Sequence, residues 1–271
     1  MAFVDKYGPW ALITGASAGI GAEFARQLAA KGLNVALVAR RAEKLQALAE
    51  DLESQYDIRA LAIAADLTGD DFLATITDAL GTRHIGLLVN NAGSGFTGEF
   101  LDHDLDDELN LLALNCRAPL ILAHHFGNRM RDDRRGGIIM LASIAGMVPT
   151  PMFAHYSATK AWNRFLGEGL HEELGRDGVD VVSLCPGLTQ SEFFEHANVD
   201  PSGWPTPLRA TIMSAEDVVK AGLKGLGRQS QVVPGISYRM LMRASRLSPG
   251  RLTPWMIDRV MRFALPKRPA E

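Results

Sequence analysis

Trp10-Ala11-Leu12-Ile13-Thr14-Gly15-Ala16-Ser17-Ala18-Gly19-Ile20-Gly21 reads as a short buried strand running into a glycine turn, with a helix expected from Ala22. Glycines at such a turn let the backbone approach a pyrophosphate, and the amino terminus of the next helix offers amide donors and a partial positive charge. The spacing is Gly-x-x-x-Gly-x-Gly, one residue off the common Gly-x-Gly-x-x-Gly form. Its position after the first strand of an alternating pattern gives the turn its weight. No Gly-Lys-Ser/Thr closes the loop, which counts against a nucleoside triphosphate site.

Outward from this turn, short β-branched runs alternate with helical segments, the signature of a parallel sheet covered on both faces. Expected strands are Trp10–Thr14, Val35–Ala39, Ala60–Ala65, Leu87–Asn90, Ile138–Ala142, Val179–Leu184 and Gln231–Val233. Several are continuously apolar, as strands buried on both faces should be. Helical patterns lie between them at Ala22–Lys31, Ala42–Gln55 and Trp162–Leu174, and Ser214-Ala215-Glu216-Asp217 has the form of a capped helix start. The fold class is therefore α/β: a doubly wound, Rossmann-type parallel sheet of about seven strands with helices on both faces. One catalytic domain is expected over residues 1–235, followed by a basic, amphipathic helical extension over 236–271. Within the domain, the stretch from Leu188 to Met213 carries three prolines and several aromatics. A long irregular segment in such a chain is expected to be a lid or substrate loop.

Composition sets bounds on function. The 271 residues, 47% of them apolar, suffice for a large core, and a net charge of −3 argues against a nucleic-acid binder. The charge is uneven: from Ile236 onward eight Arg/Lys stand against two acids, +6, leaving −9 for residues 1–235. Cys116 and Cys185, both in apolar surroundings, are expected to be buried free thiols in a reducing compartment. Met1–Lys6 has no leader pattern, and no run of eighteen apolar residues exists. The expected location is cytoplasmic, and no metal site is assigned.

The residues after the second strand choose between nicotinamide cofactors. An acidic side chain there would accept the ribose hydroxyl and repel a phosphate. This chain has Ala39-Arg40-Arg41. Two guanidiniums suit a dianionic 2′-phosphate, because the planar fork binds it bidentately. NADP(H) is thus expected over NAD(H), with Arg40 favoured because Arg41 stands where the next helix begins. Asp66, at the end of the third strand, could accept from the adenine amino group. Asn90-Asn91-Ala92-Gly93 puts amide and small residues where the fourth strand would meet the cofactor.

A second cluster supplies proton chemistry. In Tyr156-Ser157-Ala158-Thr159-Lys160 the phenol and the ammonium, four residues apart, would share one helix face. Ser143 ends the apolar run Gly137–Ser143, so a hydroxyl, a phenol and an ammonium would converge at a strand's carboxyl end and could pass a proton to or from a carbonyl oxygen. A cation within ~6 Å favours phenolate, and general acid–base catalysis works best when the pKa nears operating pH.

Together these motifs resemble the short-chain dehydrogenase/reductases, in their short single-domain NADP(H)-dependent branch. The resemblance covers about residues 10–235. It rests, in order, on Thr14-Gly15-x-x-x-Gly19-x-Gly21, Asn90-Asn91-Ala92-Gly93, Ser143, Tyr156-x-x-x-Lys160 and Pro186-Gly187-x-Thr189. It implies that Tyr156 is the acid in reduction and the base in oxidation. It implies further that Lys160 lowers the phenol's pKa from about 10 and holds the nicotinamide ribose, and that Ser143 binds the substrate oxygen. Asn115 would hold a water linking Lys160 to solvent, and Thr189 would contact the nicotinamide end or the phosphates. Cofactor contacts would come from Gly15, Ser17, Gly19, Ile20, Gly21, Arg40, Arg41, Asp66, Asn91, Gly93, Tyr156, Lys160, Pro186, Gly187 and Thr189. A homo-oligomer is implied as well. One departure stands out: where many NADP-using members carry a basic residue inside the glycine turn, this chain has Ala18.

Phe96, Phe153, His155, Phe193, Phe194, Trp204 and Met213 fall in segments that would lie near the nicotinamide, and suggest an apolar pocket for a hydrophobic ketone or secondary alcohol: steroid, fatty-acyl-derived or aromatic. His155 adjoins Tyr156 but would face another way, and takes no role. The tail places Arg239, Arg243, Arg246, Arg251, Arg259 and Arg262 at spacings of three and four, interrupted by Pro249 and Pro254. It could cap the pocket, form a subunit contact, or make peripheral contact with an anionic membrane. The rival from another class is a non-catalytic NADP(H)-binding sensor or scaffold, though such a protein would be expected to lack Tyr156 or Lys160. A superfamily enzyme acting on nucleotide sugars would need a longer substrate domain.

Overall fold

Apolar side chains on both faces of a strand require cover on both sides, and alternating strand with helix supplies it. A computed structural model describes residues 2–190, 192, 204, 206–247 and 252–264. Its first half runs α1 (Phe3–Tyr7), β1 (Trp10–Thr14), α2 (Gly19–Ala29), β2 (Asn34–Ala39), α3 (Ala42–Gln55), β3 (Ala60–Ala64), α4 (Phe72–Leu80) and β4 (Ile85–Asn90). Then come α5 (Leu105–Leu112), α6 (Ala118–Asp132), β5 (Gly136–Leu141), α7 (Ala154–Gly175) and β6 (Val179–Leu184). The remainder is α8 (Thr206–Arg209), α9 (Ala215–Gly225), β7 (Gln231–Val232), α10 (Ile236–Leu247) and α11 (Leu252–Ala264).

All strand pairings are parallel, in the order β3-β2-β1-β4-β5-β6-β7. Chain progress reverses between β1 and β4, and in open α/β sheets a crevice for ligand forms outside the strand ends at that point. Residues of β1 divide their side chains between two cores. Ala11 and Ile13 join Phe24 and Leu28 of α2, Leu45 and Leu52 of α3, and Val218 of α9. Trp10 and Leu12 join Phe72 and Ile76 of α4 and Phe126 of α6, with Leu166 and Leu170 of α7 packed against them.

Several boundaries differ from those the periodicity suggests. Helix α2 starts at Gly19 rather than Ala22, because glycines carry no apolar signal. Helix α7 starts at Ala154 rather than Trp162. Its first turns bury Tyr156, Ser157, Thr159 and Lys160, so no apolar stripe marks them. Strand β5 ends at Leu141, and Ser143 caps a short 3-10 turn, Ile144–Met147, its Oγ accepting from Ala145 N at 3.1 Å. Ser214 caps α9 as expected, accepting from Asp217 N at 3.1 Å. Both tail segments are helical. Pro254 sits in the first turn of α11, where a missing N–H costs nothing; Pro249 and Arg251 lie outside the described residues. Among the described residues no helix is long and apolar enough to cross a membrane.

Phe24 is fully buried and fixes α2, whose amino terminus faces the crevice, to the sheet. Phe24→Ala is expected to lower the unfolding free energy by about 3–5 kcal/mol, measured by urea titration. A loss below about 1 kcal/mol would mean that α2 is held by something else.

Candidate active site

The glycine turn is tied to the neighbouring strand end. Thr14 Oγ1 accepts from Asn91 N at 3.0 Å and Ala92 N at 2.9 Å, while Asn91 Nδ2 donates to Thr14 O at 2.8 Å. Gly15 has φ +66°, and a Cβ on Gly21 would stand 2.2 Å from the Gly15 carbonyl oxygen, so the turn closes only with glycine at both places. Ala18 precedes α2, and no side chain caps that helix among the described residues. Its first-turn donors therefore suit a phosphate group.

Beside the turn, Arg41 donates to Ser17 Oγ from Nε at 3.1 Å and from Nη2 at 2.8 Å. The same Nη2 meets Glu192 Oε2 at 2.7 Å, and Lys44 Nζ meets Oε1 at 2.9 Å. Hydrogen bonds from Arg41 and then Lys44 hold the Glu192 carboxyl down at about 2. Asp66 lies two residues beyond β3; it accepts from Thr68 N at 3.0 Å and Thr68 Oγ1 at 2.8 Å. Those bonds, backbone first, hold its carboxyl below the ordinary range, and the Arg40 charge adds to them.

At the other end Ser143 hydrogen-bonds the Tyr156 phenol, which is 9% exposed. Burial pushes that phenol up to about 12, against the lowering effect of Ser143. Lys160 Nζ stands 5.8 Å from the Tyr156 ring centroid and donates to Leu141 O at 2.9 Å. Burial brings Lys160 down to about 8. In the protein alone, then, burial outweighs the Ser143 hydrogen bond, and the phenol keeps its proton. Asn115 lies in a π-helical turn, Ala113–Arg117, between α5 and α6. Its amide accepts from Ser94 N at 3.0 Å and donates to Ser94 O at 2.9 Å and Thr159 Oγ1 at 3.0 Å. Its main-chain carbonyl accepts from Asn163 Nδ2 at 2.7 Å, so Asn115 braces the loop after β4 against α7.

One cavity of about 580 Å³ connects these groups. Every site residue expected from sequence lines it except Asn115, which is 1% exposed. Of the apolar candidates, Phe153 and Trp204 line it. Phe96 packs beside Tyr156 without reaching it, and Met213 packs against the core. His155 turns to the buried Glu108, which also holds His103 at 2.9 Å. Phe193 and Phe194 lie outside the described residues. Capping the pocket was one of the three roles open to the tail from its sequence, and Leu241 and Met242 of α10 with Ile257 and Met261 of α11 complete the apolar wall. Tyr238, 5% exposed, lies against Gly187, where a Cβ would stand 2.2 Å from the ring. Its hydroxyl accepts from Leu188 N at 3.0 Å and donates to Thr211 O at 3.0 Å, joining both ends of the 188–213 stretch. Only the polar tip of an otherwise apolar helix face could have hinted at this.

The chain is 32% identical over 228 residues to the very-long-chain 3-oxoacyl-CoA reductase of Bos taurus, covering 83% of this chain and 70% of that protein. It superposes on a 7beta-hydroxysteroid dehydrogenase with a TM-score of 0.88 and 25% identity, over 95% of this chain and 100% of that one. A short-chain dehydrogenase from Sphingobium yanoikuyae in complex with NADPH gives a TM-score of 0.78 and 30% identity, over 97% and 99% of the two chains. The family model described as short chain dehydrogenase matches residues 9–201. This chain therefore belongs to the short-chain dehydrogenases, oxidoreductases that interconvert carbonyl and alcohol groups with a nicotinamide cofactor.

Proposed function

We propose that this short-chain dehydrogenase uses NADP(H) and interconverts a ketone and a secondary alcohol on a hydrophobic substrate, with fatty-acyl-derived ketones first and steroid or aromatic ketones next. The observation that carries this is the Ser143–Tyr156 pair, hydrogen-bonded in the wall of a cavity that also contains the glycine turn. The apolar wall from Phe153, Trp204 and the tail supports a large apolar substrate, as do the reductase and steroid dehydrogenase among its likenesses. Arg40 and Arg41, together with the NADPH-bound neighbour, support the phosphorylated cofactor.

The nicotinamide, when bound, supplies or accepts the hydride. The rest falls to the protein. Ser143 Oγ and the Tyr156 hydroxyl hold the substrate oxygen between them. In reduction Tyr156 gives that oxygen its proton; in oxidation its phenolate removes one. A phenol pushed up by burial is the form ready for reduction. Lys160, beneath it, holds the nicotinamide ribose, and a cationic ring nearby is what would bring the phenol down for oxidation. The first-turn donors of α2 and Ser17 hold the pyrophosphate, and the arginines hold the 2′-phosphate.

A stripe of leucines on α5, Leu105, Leu109 and Leu112, is 44–68% exposed, and Leu120 of α6 is 47% exposed. We take this as the surface of a homo-oligomer. The outer side of the tail, with Ile236, Met240, Trp255 and Met256 exposed beside Arg239, Arg243 and Arg259, suits peripheral contact with anionic lipid.

Tyr156→Phe should lower kcat/KM for ketone reduction by roughly 10²–10⁴-fold while the NADPH Kd stays within about twofold; unchanged turnover would sink the proton-transfer role. In the wild type, reduction should stay flat with pH between about 7 and 9, because burial keeps the phenol protonated, while oxidation, which needs the phenolate, rises; opposite slopes would reverse the assignment. Arg40→Ala/Arg41→Ala should weaken NADPH at least roughly tenfold and leave NADH unaffected, read by intrinsic fluorescence. Leu109→Lys should shift sedimentation toward the monomer; a monomeric wild type removes the oligomer.

A further inference from the structure

Arg41 and Lys44 already grip an anion, and that anion belongs to the chain. The two oxygens of Glu192 each face a different cation, Arg41 Nη2 at 2.7 Å and Lys44 Nζ at 2.9 Å, as two oxygens of a phosphate would. Arg41 also holds Ser17 of the glycine turn, so the contact lies at the mouth of the cofactor cavity, which Arg40, Arg41 and Glu192 all line. We propose that Glu192 is a resident competitor for the 2′-phosphate, occupying the Arg41–Lys44 clamp and thereby setting how strongly the protein prefers NADPH to NADH. The proposal rests on the cofactor reading above and adds Lys44 and Glu192 to the residues that determine it.

Charge decides the direction. Arg40, Arg41 and Lys44 bring three positive charges to this corner, and Glu192 neutralises one of them. A 2′-phosphate carries about twice the charge of a carboxylate and has a third oxygen for Ser17 or Arg40. The side chains of Arg41, Lys44 and Glu192 are 42%, 51% and 33% exposed, so the ion pairs are solvent-reachable and of the weak kind a dianion can displace. A ligand that must first displace an occupant binds with its affinity reduced by the fraction of free sites. An unphosphorylated ribose makes no demand on Arg41 or Lys44, so Glu192 handicaps NADP(H) alone. Hydrogen bonds from Arg41 and Lys44 keep Glu192 ionised down to about pH 2, so the occupant carries its full charge throughout pH 5–9.

The test compares two small probes, 2′,5′-ADP and 5′-ADP, by calorimetry on the intact protein at one ionic strength. Glu192→Gln should bind 2′,5′-ADP about tenfold tighter than the wild type, with 5′-ADP changed less than twofold. Lys44→Ala should weaken 2′,5′-ADP several-fold and spare 5′-ADP. If Glu192→Gln leaves 2′,5′-ADP within twofold of wild type, or tightens both probes equally, the competition is refuted while a wild-type preference for 2′,5′-ADP would keep the cofactor reading standing. A wild type that binds both probes alike, with Arg41→Ala neutral, sinks that reading and this proposal with it.

Discussion

The hydrogen bonds between Thr14 and Asn91 hold the molecule's working end together. They span the one place where the strand order changes direction, and the two strands that meet there lead to opposite halves of the fold. With Thr14 Oγ1 satisfying two backbone N–H groups, the ends of β1 and β4 are fixed relative to each other without a loop crossing between them. The glycine turn can then stand open toward the crevice. Everything beyond, from the arginines after β2 to the tyrosine on α7, takes its position from that junction.

Burial does different work at the two ends of the cavity. Around Tyr156 and Lys160 it removes water, raising the phenol and depressing the amine, so both groups drift toward their neutral forms. At the Arg41 end the charged side chains of Arg41, Lys44 and Glu192 remain solvated and paired with one another. A single cavity thus joins a dry end, where ionisation is disfavoured, to a wet end where charges persist.

The sheet was legible because its strands are continuously apolar and its turns carry glycine; β1, β2 and β6 fall within a residue of where their runs of Val, Leu and Ile place them. Site residues defined by short ordered motifs also fell together around one cavity. What escaped the sequence depends on side chains meeting across long separations. Glu192 finds Lys44 at a separation of 148 residues, and nothing local marks the pairing. Tyr238 looks like an ordinary helix tyrosine until Gly187 makes room for its ring. The early start of α7 was hidden for the opposite reason: its first turns bury polar groups, which periodicity counts as surface.

The Tyr238 hydroxyl has a mechanical consequence. Because one oxygen joins Leu188 to Thr211, beside the backbone bonds that pair Leu188 and Gln190 with Met213, α10 is fastened to both feet of a strap. Pressure from a bulky guest against Leu241 or Met242, one helical turn along, is transmitted to both feet of the strap at once. Because α10 also packs on the 3-10 turn that Ser143 caps, a guest that displaces this helix is felt at the serine as well.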